Sequence, residues 1–494
     1  MFDTVPDMAC KRAELSGDAT AFVDQATGRR WSFAEVNRAA DAVAAALAER
    51  GIGEGDRIAI ACLDCAEFFI TLFACQKAGV ILCPLNWRQP APELVATMKP
   101  VEPCLLIHDA ANDDLAERIA VETKIGRVDI ETGLHAWIAR GGPPRRAPVP
   151  AERPWYLLFT SGTTGRPKAV IQTARMCWAN TVNIGQAIGL TSADSAVTFL
   201  PLFHTAGINL YTLPVFLNGG RSTILPKFEP ETLLELIRAG EVTQFFAVPA
   251  IYQAFSLMDA VDKVDWRALR CGCGGAPLPE SLIRFFADRG AMVLNGFGMT
   301  ETGPTVFLMD AARAADKIGS VGRAQMLTEL RLAGVEADAP GEGEIELRGP
   351  GITPGYFRNP EATAETFAEG GWLRTGDVGR RDAEGYVYIV DRIKDMYISG
   401  GENVYPAEVE RVLNDHPEIL EAAVIGITDE KWGEVGAAFV IPRPGATPDP
   451  QKVRQWCRAR LAGYKVPARV IAVDDFPRTA AGKTRKPELR ETLT

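Results

Sequence analysis

Apolar and polar positions along the chain fall into blocks whose period separates helix from strand. Near the start, Ser32-Phe-Ala-Glu35 has capping-box spacing: a hydroxyl for the N3 amide and a glutamate that reaches back. It opens an alanine-rich run that predicts a helix, stopped at Gly51. Residues 57–63 then predict a buried strand, 68–78 a helix and 80–85 another strand. That alternation predicts α/β architecture around a parallel sheet. The stretch 58–85 is the most apolar, but Asp64, Glu67 and Lys77 interrupt it and Asp56 precedes it. It reads as strand–helix–strand in a core, not as a membrane span.

Further on, residues 141–154 are rich in Pro, Gly and Arg and read as a surface connection. A short apolar strand is expected at 155–159, followed by a long α/β stretch to about residue 310. Between 320 and 390 the strands become short and separated by Gly and Pro, as at 344–348 and 386–390, which predicts a small β-rich subdomain. A second domain is expected from about Asp391. Pro406 suits a first helical turn, and Val409, Val412 and Leu413 share one face. Strands at 422–427, 437–441 and 468–473 and a helix at 452–461 complete an α+β unit large enough for its own core. The fold class is therefore α/β. A large N-terminal domain (1–391) of α/β subdomains carries a small β-rich subdomain, and a small α+β C-terminal domain spans 392–494.

Composition narrows the function. The 494 residues are 47% hydrophobic and 23% charged, which excludes disordered and mini-protein classes. Net charge is 53 − 63 = −10, so no global field would hold nucleic acid or anionic lipid. Ten cysteines, such as Cys75, Cys83 and Cys104, read as buried free thiols of a reducing compartment. Cys62-x-x-Cys65 and Cys271-x-Cys273 lack a second ligand pair, which argues against structural zinc. Residues 1–10 have two aspartates and no apolar core, so no signal peptide is read, and the last residues are no peroxisomal address. The expected location is the cytoplasm.

The sharpest chemical signal is Thr160-Ser161-Gly162-Thr163-Thr164-Gly165-Arg166-Pro167-Lys168, directly after an apolar strand. Glycines let a backbone approach an anion, hydroxyls donate to it and the two cations supply charge, so this is a phosphate cradle by composition. Pro167 before Lys168 rules out a Walker A loop. Ala481-Gly-Lys-Thr484 fails the same test, because Pro477 stands where the first glycine is needed. Four histidines leave little room for His-rich metal chemistry.

Residues 156–170 resemble the signature loop of the adenylate-forming enzymes: acyl-CoA synthetases, peptide-synthetase adenylation domains and luciferases. The family's other motifs follow in order. They are Leu200-Pro-Leu-Phe-His-Thr-Ala-Gly207, Gly274-Gly-Ala-Pro-Leu278, Asn295-Gly-Phe-Gly-Met-Thr-Glu-Thr302 and Leu373-Arg-Thr-Gly-Asp377. Val390-Asp-Arg-Ile-Lys-Asp395, Ser399-Gly-Gly-Glu-Asn-Val-Tyr-Pro-Ala-Glu408 and Pro477-Arg-Thr-Ala-Ala-Gly-Lys483 close the set. The run around Gly400 and Gly401 is similar to the acyl-CoA synthetase branch.

The resemblance implies a two-step reaction. A carboxylate attacks the α-phosphate of ATP, giving acyl-AMP and pyrophosphate; coenzyme A thiol then displaces AMP. It implies that Thr160, Ser161, Gly162, Thr163, Thr164, Gly165 and Lys168 clamp phosphates, with Glu301 as the Mg²⁺ ligand and Thr300 as a phosphate contact. Taken alone, Thr300 and Glu301 read equally as a helix cap with a first-turn acid. Gly274, Gly275, Ala276, Pro277, Asn295, Gly296 and Phe297 resemble the adenine pocket, with Phe297 in place of the usual tyrosine. Ala169 replaces a usual glycine. Asp377 and Arg392 match the ribose-binding pair, although Asp377 alone is an ordinary turn aspartate. Lys483 matches the lysine that contacts the carboxylate and α-phosphate, and alone reads as a tail lysine. Lys394 matches the hinge about which the small domain moves. Ser399, Gly400 and Gly401 match the pantetheine tunnel.

His204 resembles the aromatic gate of the acyl pocket, or is a core histidine. Phe203, Phe246 and Ala247 are expected beside it and Gly298 at the floor. A dicarboxylate would want a buried arginine and none is seen near these motifs, so an apolar or aromatic acid is expected: an arylacrylate of the ferulate type, a benzoate-like acid or a medium-chain fatty acid. An enzyme that stops at acyl-AMP or loads a carrier protein is the alternative within the family, and a non-catalytic nucleotide sensor the alternative outside it. The expected partners are the acid, ATP and coenzyme A. The expected state is monomer or homodimer, and an acetyltransferase or deacetylase acting on Lys483 would switch its charge.

Overall fold

The structure, a computed structural model, describes residues 3–160, 167–276, 278–399, 402–479 and 482–493. The capping box forms as read. Ser32 Oγ accepts from Glu35 N at 3.2 Å and Glu35 Oε2 accepts from Ser32 N at 2.8 Å, opening the helix Phe33–Glu49. The helix stops where Gly51 takes φ +72°. Its alanines let it pack against the helix Ala66–Ala78. That second helix is buried almost all round because it lies between two sheets, touching the strands Thr20–Asp24, Ile81–Pro84 and Pro154–Thr160. This explains its lack of a polar face.

One sheet has six strands in the order Lys168–Thr173, Pro154–Thr160, Ile81–Pro84, Arg57–Ala61, Leu105–His108, Gly126–Asp129, parallel except for the first pair. The other has nine strands and a parallel centre: Val293–Phe297, Arg270–Cys273, Gln244–Ala247, Ser195–Thr198, Arg221–Ile224 and Thr20–Asp24. Four of these neighbours end at Thr198, Ala247, Cys273 and Phe297. Because the strands are parallel, the loops that follow gather along one edge, where ligands of α/β sheets bind.

A five-stranded antiparallel sheet carries Gly341–Arg348, Trp372–Arg381 and Val387–Arg392. Between Arg392 and Tyr397 the chain passes into another five-stranded sheet, built on the long hairpin Ile419–Asp429/Gly433–Pro442. These two strands outrun their apolar centres because backbone pairing continues through polar ends. The helix Pro406–Asn414 packs Val409, Val412 and Leu413 on one face of that sheet, and Phe476 and Leu489 cover the other.

Two expectations need correction. The connection 141–154 contains a short strand, Val149–Pro150, paired with Thr4–Val5. Cys104 is exposed, its thiol donating to Arg57 O at 3.3 Å, because it sits at the turn entering a strand. Among the described residues, no helix is long and apolar enough to cross a membrane.

Candidate active site

The phosphate-type loop lies at the tip of an antiparallel hairpin. Thr160 and Lys168 are the last paired residues of the strands Pro154–Thr160 and Lys168–Thr173. The loop residues Ser161, Gly162, Thr163, Thr164, Gly165 and Arg166 lie outside the described residues, as do Pro277, Gly400 and Gly401. Lys168 Nζ stands 5.0 Å from the centre of the Tyr356 ring. The Tyr356 hydroxyl donates to Glu301 Oε1 at 2.9 Å, and the Tyr356 backbone bridges Val170. Gln172 Nε2 donates to Thr300 O at 2.9 Å and Thr353 N to Glu301 O at 2.8 Å. The short 3₁₀ turn Thr300–Thr302 is thus pinned to the hairpin that carries the loop. Burial pushes the Glu301 carboxyl up, opposed by Tyr356, Arg392 and Lys168.

Tyr356 was not singled out in the sequence. The signal available was a phenol in Pro354-Gly-Tyr-Phe357 beside a glycine bend. Among the described residues no group of three or more His, Cys, Asp or Glu could hold a metal ion. A magnesium ion would meet Glu301 as a single carboxylate, which suits an ion that keeps waters and phosphate oxygens as its other ligands.

Asp377 lies opposite Arg392 in the antiparallel sheet, and Arg392 Nε is 3.1 Å from Asp377 Oδ1. Gly376 takes φ +74°, and its N–H donates to Glu344 Oε1 at 3.0 Å. Thr375 Oγ1 accepts from Asp377 N at 3.1 Å and donates to Ile345 O at 2.8 Å. Burial raises the Asp377 carboxyl, while Arg392, Lys483 and Lys394 hold it down. Lys483 comes from the small domain, yet its Cε is 3.9 Å from where a Cβ on Gly275 would stand. The residue as a whole is exposed, but its ammonium end is surrounded by protein and charge. Enclosure, then Arg392, lowers its pKa, while Asp377 and Glu301 raise it. Lys394 is exposed in the turn between the two sheets. Asp391, just before that turn, accepts from Ala407 N at 2.8 Å, tying the small domain's first helix to the large part; burial raises its carboxyl to about 6.

Gly274 is demanded by close approach, because a Cβ there would lie 2.9 Å from both Gly296 O and Phe246 Cζ. Gly275 and Ala276 open onto the cleft. Asn295, Gly296 and Phe297 close the strand Val293–Phe297, and the Phe297 ring meets Phe307 edge-on at 5.9 Å. The Phe203 ring lies 4.8 Å from His204 and 6.4 Å from Trp87. His204 Nε2 is buried without a hydrogen bond, and its pKa falls to about 4 through burial and then the charges of Lys483 and Arg88. The imidazole is therefore neutral at physiological pH.

Two acyl-pocket readings change. Ala247 belongs to the core with Phe245 and Leu233, whereas Phe246 faces Tyr211 and Leu308: side chains alternate along the strand Gln244–Ala247. Gly298 is required by a backbone crossing rather than by pocket depth, since a Cβ would stand 1.8 Å from Pro304 O. The exposed Arg88 guanidinium is 5.9 Å from the Phe203 ring and 5.0 Å from Trp87. Trp87 and Arg88 were missed because 115 or more residues separate them from the motif they meet. Ser399 is buried in the small sheet opposite Glu402 and Gly433, and Lys483 of the same domain faces the cleft.

The architecture is that of the adenylating enzymes. The crystal structure of ATP-bound MatB from Rhodopseudomonas palustris is similar over 99% of both chains, at TM-score 0.90 and 30% identity. The apo form of that protein matches over the same share at TM-score 0.79 and 30% identity. A feruloyl-CoA synthase of an Amycolatopsis species is 39% identical over 489 residues, 97% of each chain. An indoleacetate–CoA ligase of Aromatoleum aromaticum is 36% identical over 486 residues, 94% of each chain. The AMP-binding enzyme family matches residues 10–357 and its C-terminal domain residues 408–483. The chain belongs to the AMP-binding enzyme family, in the acyl-CoA synthetase branch of the adenylate-forming superfamily.

Proposed function

We propose that this acid–CoA ligase activates an aromatic carboxylic acid of the arylacrylate or arylacetate class. The observation that carries the reaction is the convergence of Lys483, Glu301, Asp377 and Arg392 on one cleft. The acid class is supported by the Phe203 ring, packed between Trp87 and a neutral His204, and by relatives named for ferulate and indoleacetate. Medium-chain fatty acids are the second class this lining admits.

In the first step the carboxylate attacks the α-phosphate of ATP and pyrophosphate leaves. Such a step needs alignment and charge neutralisation rather than a covalent nucleophile. Lys168 and Thr160 flank the loop that takes the β- and γ-phosphates, a role also assigned to Ser161, Gly162, Thr163, Thr164 and Gly165. Glu301 would hold a magnesium ion, which when bound would supply neutralising charge to the phosphates, and Thr300 contacts those phosphates. Asp377 and Arg392 bind the ribose. Gly274, Gly275, Ala276, Pro277, Asn295, Gly296 and Phe297 take the adenine. Lys483 stabilises charge developing on the α-phosphate.

For the second step the small domain, residues 392–494, turns about Lys394. It withdraws Lys483 and brings Ser399, Gly400 and Gly401 to the thiol path. The better superposition on an ATP-bound relative than on an apo one supports an adenylating orientation here. The exposure of Lys483 admits acetylation, which would remove its charge and stop the first step. We assign the enzyme to the cytoplasm.

The test is pyrophosphate release with ATP, Mg²⁺ and a panel of acids, each with and without coenzyme A, with products identified by mass. Turnover that needs coenzyme A and yields an aryl thioester is expected. Acyl-AMP unchanged by coenzyme A would move the enzyme to the carrier-loading group, and exclusive use of aliphatic dicarboxylates would overturn the acid class.

A further inference from the structure

Lys483 lies between the strand Arg469–Ala472 and the helix Lys486–Glu491. Among the described residues of that stretch, which leave out 480 and 481, the backbone pairing recorded is one antiparallel bridge between Arg478 and Thr484. Within that loop Thr479 N donates to Lys483 O at 2.7 Å, and Lys483 N donates to Thr479 Oγ1 at 3.1 Å. These bonds close the loop on itself and do not orient it on the domain. Orientation comes from a guanidinium fork. Arg478 Nη1 donates to Glu421 Oε1 at 3.0 Å and Nη2 to Glu421 Oε2 at 2.6 Å. The same Nη1 reaches the carbonyl of Gly482, the residue before Lys483, at 3.4 Å. Glu421 is fixed in turn, because it sits opposite Ile441 in the long hairpin that forms the centre of the small domain. On the far flank Lys486 Nζ lies 2.7 Å from Glu410 Oε1, which also accepts from Val424 N at 2.7 Å.

We propose that Arg478 and Glu421 are positioning residues for Lys483: their bidentate pair fixes the loop on the small domain so that the ammonium reaches the cleft when the domain faces ATP. Three features favour this over a merely structural ion pair. The pair is partly buried, with side chains 24% and 36% exposed, and forked, which gives direction as well as attraction. It contacts the backbone of the residue adjoining Lys483. Among the described residues its hydrogen-bond partners, Glu421, Asp475 and Gly482, belong to the small domain, so it travels with that domain and withdraws Lys483 as a unit when the domain turns. The pair is therefore needed in the acyl-AMP step and idle in the thioester step. This inference rests on the reading of Lys483 given above.

The test measures the two half-reactions separately in the full-length enzyme. Pyrophosphate release in a single turnover reports adenylation; thioester formation from supplied acyl-adenylate and coenzyme A reports the second step. The variants are Arg478→Lys, which keeps the charge and loses the fork, Glu421→Gln, which keeps one acceptor oxygen, and Lys483→Ala for reference. Thermal midpoints confirm folding. Arg478→Lys and Glu421→Gln are expected to slow adenylation about 10- to 100-fold, the scale of a misplaced catalytic group. Thioester formation should stay within about twofold, as for a group idle in that step. Equal losses in both steps, or no loss in either, would overturn the proposal while Lys483→Ala still loses adenylation alone. If Lys483→Ala adenylates at the normal rate, the reading of Lys483 itself fails.

Discussion

On the large side of the cleft, Glu301, Asp377 and Gly274 are held by burial and backbone: a pinned 3₁₀ turn, a paired strand, and a crossing too tight for a Cβ. On the small side, Lys483 is held on a loop by ion pairs anchored in its own domain. The difference follows from what each side has to do. In the mechanism proposed above, nucleotide-binding groups serve both half-reactions and can be built into sheet ends. In that mechanism a cation needed for one step must arrive and leave, which fits a mounting on a part that turns.

Four substitutions break or sharpen this contrast. The largest effect is expected from Gly298→Ala on the fixed side. A Cβ 1.8 Å from Pro304 O cannot be accommodated without moving backbone. Stability should fall by about 3 kcal/mol, read as a lower denaturation midpoint, with both half-reactions suffering together. Next, Asp377→Ala should raise the KM for ATP about 30-fold through loss of a charged hydrogen-bond acceptor, and leave the denaturation midpoint nearly unchanged.

His204 gives a pH signature. Its folded pKa of about 4 lies below the ordinary value of 6.5, so the unfolded chain binds a proton that the folded one refuses. The contribution is present above pH 6.5 and is lost as pH falls toward 4. Between pH 7 and 5 it costs about 2 kcal/mol, and His204→Phe should remove that slope from denaturation midpoints measured at the two pH values. The smallest effect is expected from Tyr356→Phe. Without its 2.9 Å hydrogen bond, the Glu301 carboxylate loses a donor, and the magnesium concentration for half-maximal rate should shift several-fold, consistent with about 1 kcal/mol.

What the sequence made legible was local. The capping box at Ser32–Glu35 and the strand–helix–strand run at 57–85 depend on spacing within a few residues, while the motifs at 200–207, 274–278 and 295–302 were legible through the family resemblance. What it hid was distance. Tyr356 meets Glu301 across 55 residues and Arg478 meets Glu421 across 57, and neither partner carries a local pattern that points to the other. Ala247 is a different case. Strand alternation already placed it opposite Phe246, so grouping both in one pocket overlooked the period of two. The burial of the helix Ala66–Ala78 between two sheets was foreshadowed by its missing polar face, but which sheets enclose it was not.

The central claim is that the small domain lends Lys483 to one step only. Its most direct test is the ratio of the two half-reaction rates in Lys483→Ala against wild type, with the same acid, ATP and coenzyme A. Adenylation is predicted to fall about 100- to 1,000-fold, the loss typical of one transition-state charge contact, with thioester formation from supplied acyl-adenylate retained. Parallel loss of both rates, or retention of both, would contradict the account.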